Sequence, residues 1–259
     1  MRIHGLQLDI RWEDRAANLA SARRLLAGAG AAPGGLVILP EMGLTGFSMR
    51  VDRVADTEER ESETALRHLA LDTQCWVLGG LVTRAPDGRG RNEALLAGPD
   101  GAVAGRYAKM HPFSFTGEEK FYAAGDDPVV LPCGPFQLAP FVCYDLRFPE
   151  IFRTAARRGA TLFVVIACWL DLRHAHWRPL LQARAIENQA WVVGVNRCGR
   201  DPKFSYPGGS VVFAPDGSAA AELGAVEDVL SAALDPAAVP AIRDPFPVLR
   251  DVRPDWTRP

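Results

Sequence analysis

The chain of 259 residues has no excess of either charge: 29 lysines and arginines stand against 31 aspartates and glutamates, a formal net charge of −2. No run of basic residues is long enough to track a phosphate backbone, and the nucleic-acid-binding motifs are missing, which argues against a nucleic-acid partner. Long hydrophobic runs are missing too, so no segment reaches the roughly 20 apolar residues of a membrane-spanning helix. Met1-Arg2-Ile3-His4-Gly5 leads straight into an alternating strand pattern where a signal peptide would carry an apolar core. A soluble, cytoplasmic protein is expected. The five cysteines, Cys75, Cys133, Cys143, Cys168 and Cys198, are odd in number, scattered and without the paired spacing of a zinc site. Reduced thiols are therefore expected. The Gly-rich phosphate fingerprint is absent from the first strand–helix junction and there is no Walker-type loop, which argues against a plain dinucleotide-binding fold.

What the sequence does have is apolar residues, 48% of the total, enough to bury a large core as one domain or at most two. No repeat, low-complexity tract or linker divides it, so residues 1–259 are read as a single domain. Its Pro- and Arg-rich end, 235–259, has too few periodic apolar residues to fold alone and should pack as a tail on the domain or on a partner subunit. Strand and helix patterns alternate, with hairpins interspersed. Arg2 to Leu8 reads as a strand, Trp12 to Ala27 as a helix, and Leu36-Val37-Ile38-Leu39-Pro40 as a strand buried on both faces. Thr57 to Leu71 is helical in pattern. Cys75 to Val82, Glu93 to Ala97 and Ala102 to Tyr107 follow as strands around Gly-rich turns. Val129 to Val142 holds two strands, Pro149 to Arg158 a helix, Thr161 to Ala167 a buried strand, His174 to Ala190 a helix and Trp191 to Asn196 another strand. The order predicts an α/β fold with helices covering a sheet on one side and sheet packing on sheet on the other.

Three residues each follow a strand at a polar exit. Glu41 follows Leu36 to Pro40, Lys109 follows Ala102 to Tyr107, and Cys143 follows Gln137 to Val142. Strand ends on one edge of a sheet converge on a common cleft, so these exits are expected to gather a carboxylate, an ammonium and a thiol. Cys143 has the most telling setting. It lies between an apolar strand and Pro149, a residue suited to a first helical turn, so its thiol should sit at a strand-to-helix elbow beside backbone N–H groups. The set is chemically complete: a carboxylate can take the thiol proton, the thiolate can attack a carbonyl, and the ammonium can stabilise the oxyanion. Met110 to Pro128 has no periodicity and is long enough to be kept for function.

Leu39-Pro40-Glu41-Met42, Tyr107-Ala108-Lys109-Met110-His111-Pro112-Phe113 and Cys143-Tyr144-Asp145-Leu146-Arg147-Phe148-Pro149-Glu150 resemble the three signature regions of the nitrilase superfamily, the carbon–nitrogen hydrolases. The resemblance runs from Arg2 to about Asp255. It implies a four-layer α-β-β-α sandwich, usually paired into a homodimer or larger homo-oligomer, with a Glu-Lys-Cys triad and neither metal nor organic cofactor. Glu41, Lys109 and Cys143 fall on the triad positions. A second glutamate is implied in the loop after the lysine, and the distance to Gly125 favours Glu118 over Glu119. The implied reaction is hydrolysis of a small-molecule amide through a cysteine thioester, with the backbone N–H of Tyr144 helping Lys109 to hold the oxyanion. Two departures stand out. Pro140 lacks an N–H where the strand before the nucleophile would use one, and Ala108 replaces a residue often charged or polar.

Thr45-Gly46-Phe47-Ser48-Met49 and the run His176 to Gln189 resemble the ω-amidase branch, which deamidates α-keto acids such as 2-oxoglutaramate. A carboxylate at the far end of such a substrate requires a cation. Arg173 is the first candidate and Arg147 the second, each with the alternative of structural pairing to Asp171 or Glu150. Phe115, Phe121, Tyr122 and Trp169 are candidates for the pocket wall or for ordinary core aromatics. His174 and His176 form an H-x-H pair with no third ligand nearby, so a structural role is expected rather than a metal. The alternatives are an N-carbamoyl-amine hydrolase or nitrilase of the same superfamily, a non-catalytic metabolite-binding member, and a redox role for Cys143.

Overall fold

The computed structural model describes residues 1–253; the last residues of the expected tail, 254–259, lie outside them. The first half runs β1 (Arg2–Gln7), α1 (Arg15–Ala29), β2 (Leu36–Ile38), α2 (Val51–Val54), α3 (Glu61–Thr73), β3 (Trp76–Arg84), β4 (Gly90–Ala97) and β5 (Val103–Ala108). It continues with β6 (Leu131–Cys133), β7 (Phe136–Val142), α4 (Pro149–Arg157), β8 (Leu162–Ala167), α5 (His174–Asn188) and β9 (Trp191–Asn196). The chain closes with β10 (Cys198–Arg200), β11 (Ser205–Pro207), β12 (Val211–Phe213), β13 (Ala219–Glu222), β14 (Asp228–Ala233) and α6 (Ala238–Arg243).

Local chemistry sets the element ends. Asp14 caps α1 by accepting the Ala17 N–H, and Gly30 ends it in the left-handed conformation at φ 64°. Pro149 opens α4, where a missing N–H costs nothing. Every residue of β8 is buried, as expected of a strand with parallel neighbours and helix or sheet on both faces.

The strands form two six-stranded sheets, ordered β14-β1-β2-β3-β4-β5 and β13-β12-β9-β8-β7-β6, with β10-β11 as a separate hairpin. Leu66 and Leu69 of α3 and Ala22 and Leu26 of α1 pack on the outer face of the first sheet against Leu6, Val37 and Val77. Between the sheets lie Ile3, Ile38, Ala94 and Leu96 from one side and residues of β7, β8 and β9 from the other. The approach is close: a Cβ on Gly5 of β1 would come within 2.7 Å of Val195 of β9. With α4 and α5 on the far face of the second sheet, the order of layers is α-β-β-α, the four-layer sandwich. Residues 235–253 lie against the second half, where Arg243 donates to the carbonyls of Ala160, Asn188 and Gln189. No helix among the described residues is long and apolar enough to cross a membrane.

Two sequence expectations change in detail. The three polar exits do not share one sheet, because β2 and β5 belong to the first sheet and β7 to the second. They meet instead across the sandwich, at one end of it. Pro140 does not break its strand. It pairs with Val164 of β8, while β6 reaches only as far as Leu138 on the other side. Val142, two residues on and so facing the same side as Pro140, gives its N–H to Asp145 rather than to a strand. The missing donor therefore faces the end of a short edge strand, where no ladder bond is lost.

Glycine matters most at Gly80 in β3. A Cβ there would stand 2.4 Å from the Met42 N and 2.7 Å from the Glu41 Cα, both backbone atoms, whereas a Cβ on Gly79 meets only the Leu66 side chain. Gly80→Ala is expected to lower the unfolding free energy in urea by about 2–3 kcal/mol, near the upper end for overpacking, and Gly79→Ala by about 1 kcal/mol. Equal losses for the two would contradict the close approach of the Glu41 segment to β3.

Candidate active site

The segment after β2 is bound to β3 on both sides of Glu41. The Gly80 N–H donates to the Pro40 carbonyl at 3.2 Å, and the Gly43 N–H donates to the Gly80 carbonyl at 3.3 Å. Met42, next to the glutamate, is forced to φ 44°, and Cys143 at the end of β7 to φ 49°. Both are conformations that a side chain adopts at a cost and that surrounding structure must enforce. Cys143 begins a 3₁₀ turn, Cys143–Arg147, that leads to Pro149, so the elbow expected from the sequence is present.

Glu41, Lys109 and Glu118 are almost fully buried, with exposures of 0%, 1% and 0%. The Lys109 Nζ lies 2.9 Å from Glu41 Oε1, and 2.8 Å and 3.2 Å from the two oxygens of Glu118. Glu118 also accepts the Phe113 N–H at 2.5 Å, so both of its oxygens are engaged. The other Glu41 oxygen, Oε2, accepts the Cys168 N–H at 2.8 Å, and the charge of the same carboxylate acts on the Cys143 thiol. Glu119, the sequence alternative to Glu118, is exposed.

The charges act on one another. Burial alone would lower the Lys109 pKa, but Glu118 and Glu41 outweigh it and hold the ammonium well above the ordinary lysine range. Burial pushes the Glu118 carboxyl up, the Lys109 charge pulls it down and the Glu41 charge pushes it up again, with a net rise. Burial likewise raises the Cys143 thiol well above its usual value, reinforced by Glu41 and opposed by Lys109. Cys143 thus rests as a thiol, with the Glu41 carboxylate and the Lys109 ammonium close to it.

A second network joins the two sheets. Asp145, fully buried, accepts the Tyr107 hydroxyl at 2.8 Å and the Val142 N–H at 3.1 Å on one oxygen. Its other oxygen takes the His111 N–H at 3.0 Å and lies 2.8 Å from the His111 ring. The end of β5, which carries Lys109, is thereby tied to the turn that carries Cys143. Neither Asp145 nor Asn92, which donates to both Glu41 and Glu118, was singled out by the sequence reading. The available signal for Asn92 was a lone amide on the inward face of an apolar strand, in register with Ala94 and Leu96.

Cys143 opens into a small pocket lined by Phe113, Tyr144, Arg147, Cys168, Trp169, Leu170 and Arg173. Of the aromatics named from the sequence, Trp169 lines the pocket, Phe115 and Phe121 are exposed, and Tyr122 is buried with its hydroxyl on the Ser48 carbonyl. Phe113, not named from the sequence, takes a place in the wall. Neither Arg147 nor Arg173 pairs with Asp171, Glu150 or any other carboxylate among the described residues. Arg147 is half-buried, 4.8 Å from the Trp169 ring centre and 3.2 Å from the His176 ring nitrogen. Arg173 is exposed, with its guanidinium 5.6 Å from the Phe115 ring centre. His176 therefore serves Arg147, and no cluster of three metal-ligating side chains exists among the described residues.

Lys109→Met removes the cation that opposes the rise of the thiol pKa and leaves two buried carboxylates unpaired. Alkylation of Cys143 by iodoacetamide at pH 7.5 is expected to slow at least tenfold in the folded variant, and the unfolding free energy to fall by about 3–5 kcal/mol. Unchanged alkylation, followed by mass spectrometry, would separate Lys109 from the thiol.

Comparison with known proteins shows the family. The carbon–nitrogen hydrolase family model matches residues 5–244. The chain is 38% identical over 249 residues to the omega-amidase YafV of Yersinia enterocolitica, covering 95% of this chain and 94% of that one. It is 37% identical over 254 residues to a 2-oxoglutaramate amidase of Paenarthrobacter nicotinovorans, covering 94% and 85%. Among solved structures, a CN-hydrolase superfamily protein from Xanthomonas campestris with an arsenic adduct in its active site superposes with a TM-score of 0.90 at 34% identity, over 98% and 97% of the two chains. The chain belongs to the carbon–nitrogen hydrolase family and is an enzyme of the nitrilase superfamily.

Proposed function

We propose that the enzyme hydrolyses the terminal amide of a small carboxylate-bearing substrate, an α-keto acid amide such as 2-oxoglutaramate, through a thioester on Cys143. The observation that carries the reading is one small pocket with a buried Glu41–Lys109–Cys143 cluster at its base and two arginines around it that have no carboxylate partner among the described residues. The names of the amidase relatives support the substrate class. Of the two cations, Arg147 suits the substrate carboxylate better, because stacking on Trp169 and the contact with His176 hold its fork in place before a ligand arrives. Pairing into a homodimer in the cytoplasm, as expected from the sequence, completes the proposal.

In the reaction, Glu41 takes the thiol proton as the Cys143 sulfur attacks the amide carbon. Lys109 has three N–H donors, two of them directed at Glu41 and Glu118, and the third is available to the oxyanion together with the Tyr144 backbone N–H. As the tetrahedral intermediate collapses, the C–N bond breaks and Glu41 gives its proton to the departing nitrogen, releasing ammonia. Glu41 then deprotonates a water that attacks the thioester, and cleavage of the C–S bond returns the thiol and a carboxylate product. Both oxygens of Glu118 are engaged by Lys109, Asn92 and Phe113. Its role is therefore to hold the lysine rather than to carry water.

Ammonia release is to be measured from 2-oxoglutaramate, 2-oxosuccinamate, glutamine, asparagine, an N-carbamoyl amino acid and a simple nitrile. The keto-acid amides are expected to lead by at least tenfold in kcat/KM, with Cys143→Ala folded and inactive. Turnover of only the carbamoyl compound or the nitrile would refute the substrate class, and wild-type activity in Cys143→Ala would refute the mechanism. Arg147→Gln is expected to raise KM for 2-oxoglutaramate at least tenfold while changing KM for an uncharged amide less than threefold. An equal change for both substrates would remove Arg147 from carboxylate recognition.

A further inference from the structure

We infer that Asn92 is a positioning residue for thiol activation: its side-chain amide holds the Glu41 and Glu118 carboxylates apart and keeps Glu41 free to act as the base for Cys143. The inference rests on the reading of Glu41 as that base. Asn92 stands on β4, 1% exposed, and its Nδ2 donates to Glu41 Oε1 at 2.7 Å and to Glu118 Oε1 at 3.0 Å. One amide nitrogen has two hydrogens, and here each goes to a different carboxylate. The Asn92 carbonyl also accepts the Lys109 N–H at 2.8 Å, which fixes the backbone that bears the lysine. The same residue therefore touches the base, its companion carboxylate and the strand exit of the cation.

Charge explains why a neutral donor is needed. Glu41 and Glu118 both reach toward the single Lys109 ammonium, so the ionised cluster carries one negative charge in excess, and like charges so close favour uptake of a proton. The other titratable groups facing the cluster are Cys143, Cys168 and Tyr122, all held neutral by burial and by the carboxylate charges, Glu41 for the thiols and Glu118 with Glu41 for the phenol. None of them supplies a compensating cation. A proton held on Glu41 leaves no base for the thiol. Asn92 counters this by donating to both anions without adding charge, and its hydrogen bond opposes the upward push on Glu118. Its own Oδ1 is buried with no partner, which is a cost of this orientation, since the reversed amide would point an acceptor at two carboxylates.

The test reads the thiol directly, independent of any amide substrate. Alkylation of Cys143 by iodoacetamide is followed by mass spectrometry from pH 5 to 9 in wild type, Glu41→Gln, Asn92→Asp and Asn92→Ser, with thermal melting of each. Asn92→Asp, isosteric but replacing the neutral donor with a third acidic group in the cluster, is expected to slow alkylation at pH 7 at least tenfold and to move the acid limb of the profile upward by at least one pH unit. Asn92→Ser, which keeps one donor, should fall between it and wild type. Asn92 variants with wild-type rate and profile, beside a slowed Glu41→Gln, would overturn the inference alone. A Glu41→Gln protein alkylated as fast as wild type would instead overturn the reading of Glu41 as base, and the inference with it. Failure of both Asn92 variants to fold would make Asn92 purely structural and likewise overturn the assignment.

Discussion

The structure depends on one buried ammonium. An isolated lysine charge taken out of water costs several kcal/mol even after the protein relaxes, and Lys109 is 1% exposed. It is tolerated because two carboxylates meet it, and those carboxylates are tolerated because neutral donors from four different segments meet them: the Asn92 amide and the backbone N–H groups of Phe113 and Cys168, with the Cys143 thiol beside. Each partner fixes one segment of chain. The loop after β5 must fold back to deliver Glu118, β8 must end where the Cys168 N–H reaches Glu41, and the Glu41 segment must pass so close to β3 that Gly80 has no room for a side chain. The left-handed Met42 and Cys143 are the local strain that this convergence requires.

Much of this was legible in the sequence. The buried strands β2 and β8 showed as continuous apolar runs, and Glu41, Lys109 and Cys143 stood out as the polar exits after β2, β5 and β7. Lysine itself was a further signal, since Lys109, Lys120 and Lys203 are the only lysines beside a large number of arginines. An arginine could balance the two carboxylates, but its planar guanidinium is larger and has a different donor geometry from a compact ammonium. The sequence could not show which strands belong to which sheet. Strand exits look alike whether they leave one sheet or two, and only the pairing of β5 with β4 and of β7 with β8 places Lys109 and Cys143 on opposite layers. Asn92 and Asp145 escaped for a related reason. Their value lies in partners 26 to 51 residues away for Asn92 and 34 to 38 for Asp145, and no local spacing encodes such contacts. Short elements such as β10, β11 and β13, held by a few pairs each, carry too little periodicity to be read.

Because the site straddles two layers, its rigidity depends on how firmly the layers are joined. The general apolar core resists separation but allows small slips, since hydrophobic contact has no direction. Asp145 supplies the direction. With Tyr107 and His111 from one layer and Val142 from the other on its two oxygens, it fixes the register between the end of β5 and the nucleophile turn. The burial of Tyr107 beside that carboxylate holds its phenol well above the usual range, so it stays a donor. The pocket wall is braced in the same way, with the Trp169 N–H on the Asn196 side chain and the Asn196 amide returned to the Trp169 carbonyl.

The pairing of β14 with β1 bears on how the chain reaches this state. The first sheet carries Glu41 and Lys109, yet its edge is completed by Asp228–Ala233, with Arg2 opposite Ala233 at the far end of the chain. Contacts so distant in sequence are slow to form, because the entropy of closing the loop is lost before the pairing is gained. During synthesis, residues 1–110 emerge with Glu41 and Lys109, but β1 stays unpaired along one side until β14 has left the ribosome. An open strand edge is a site for association with other chains. The strand that covers β1 belongs to neither the Glu41–Lys109–Cys143 cluster nor the pocket.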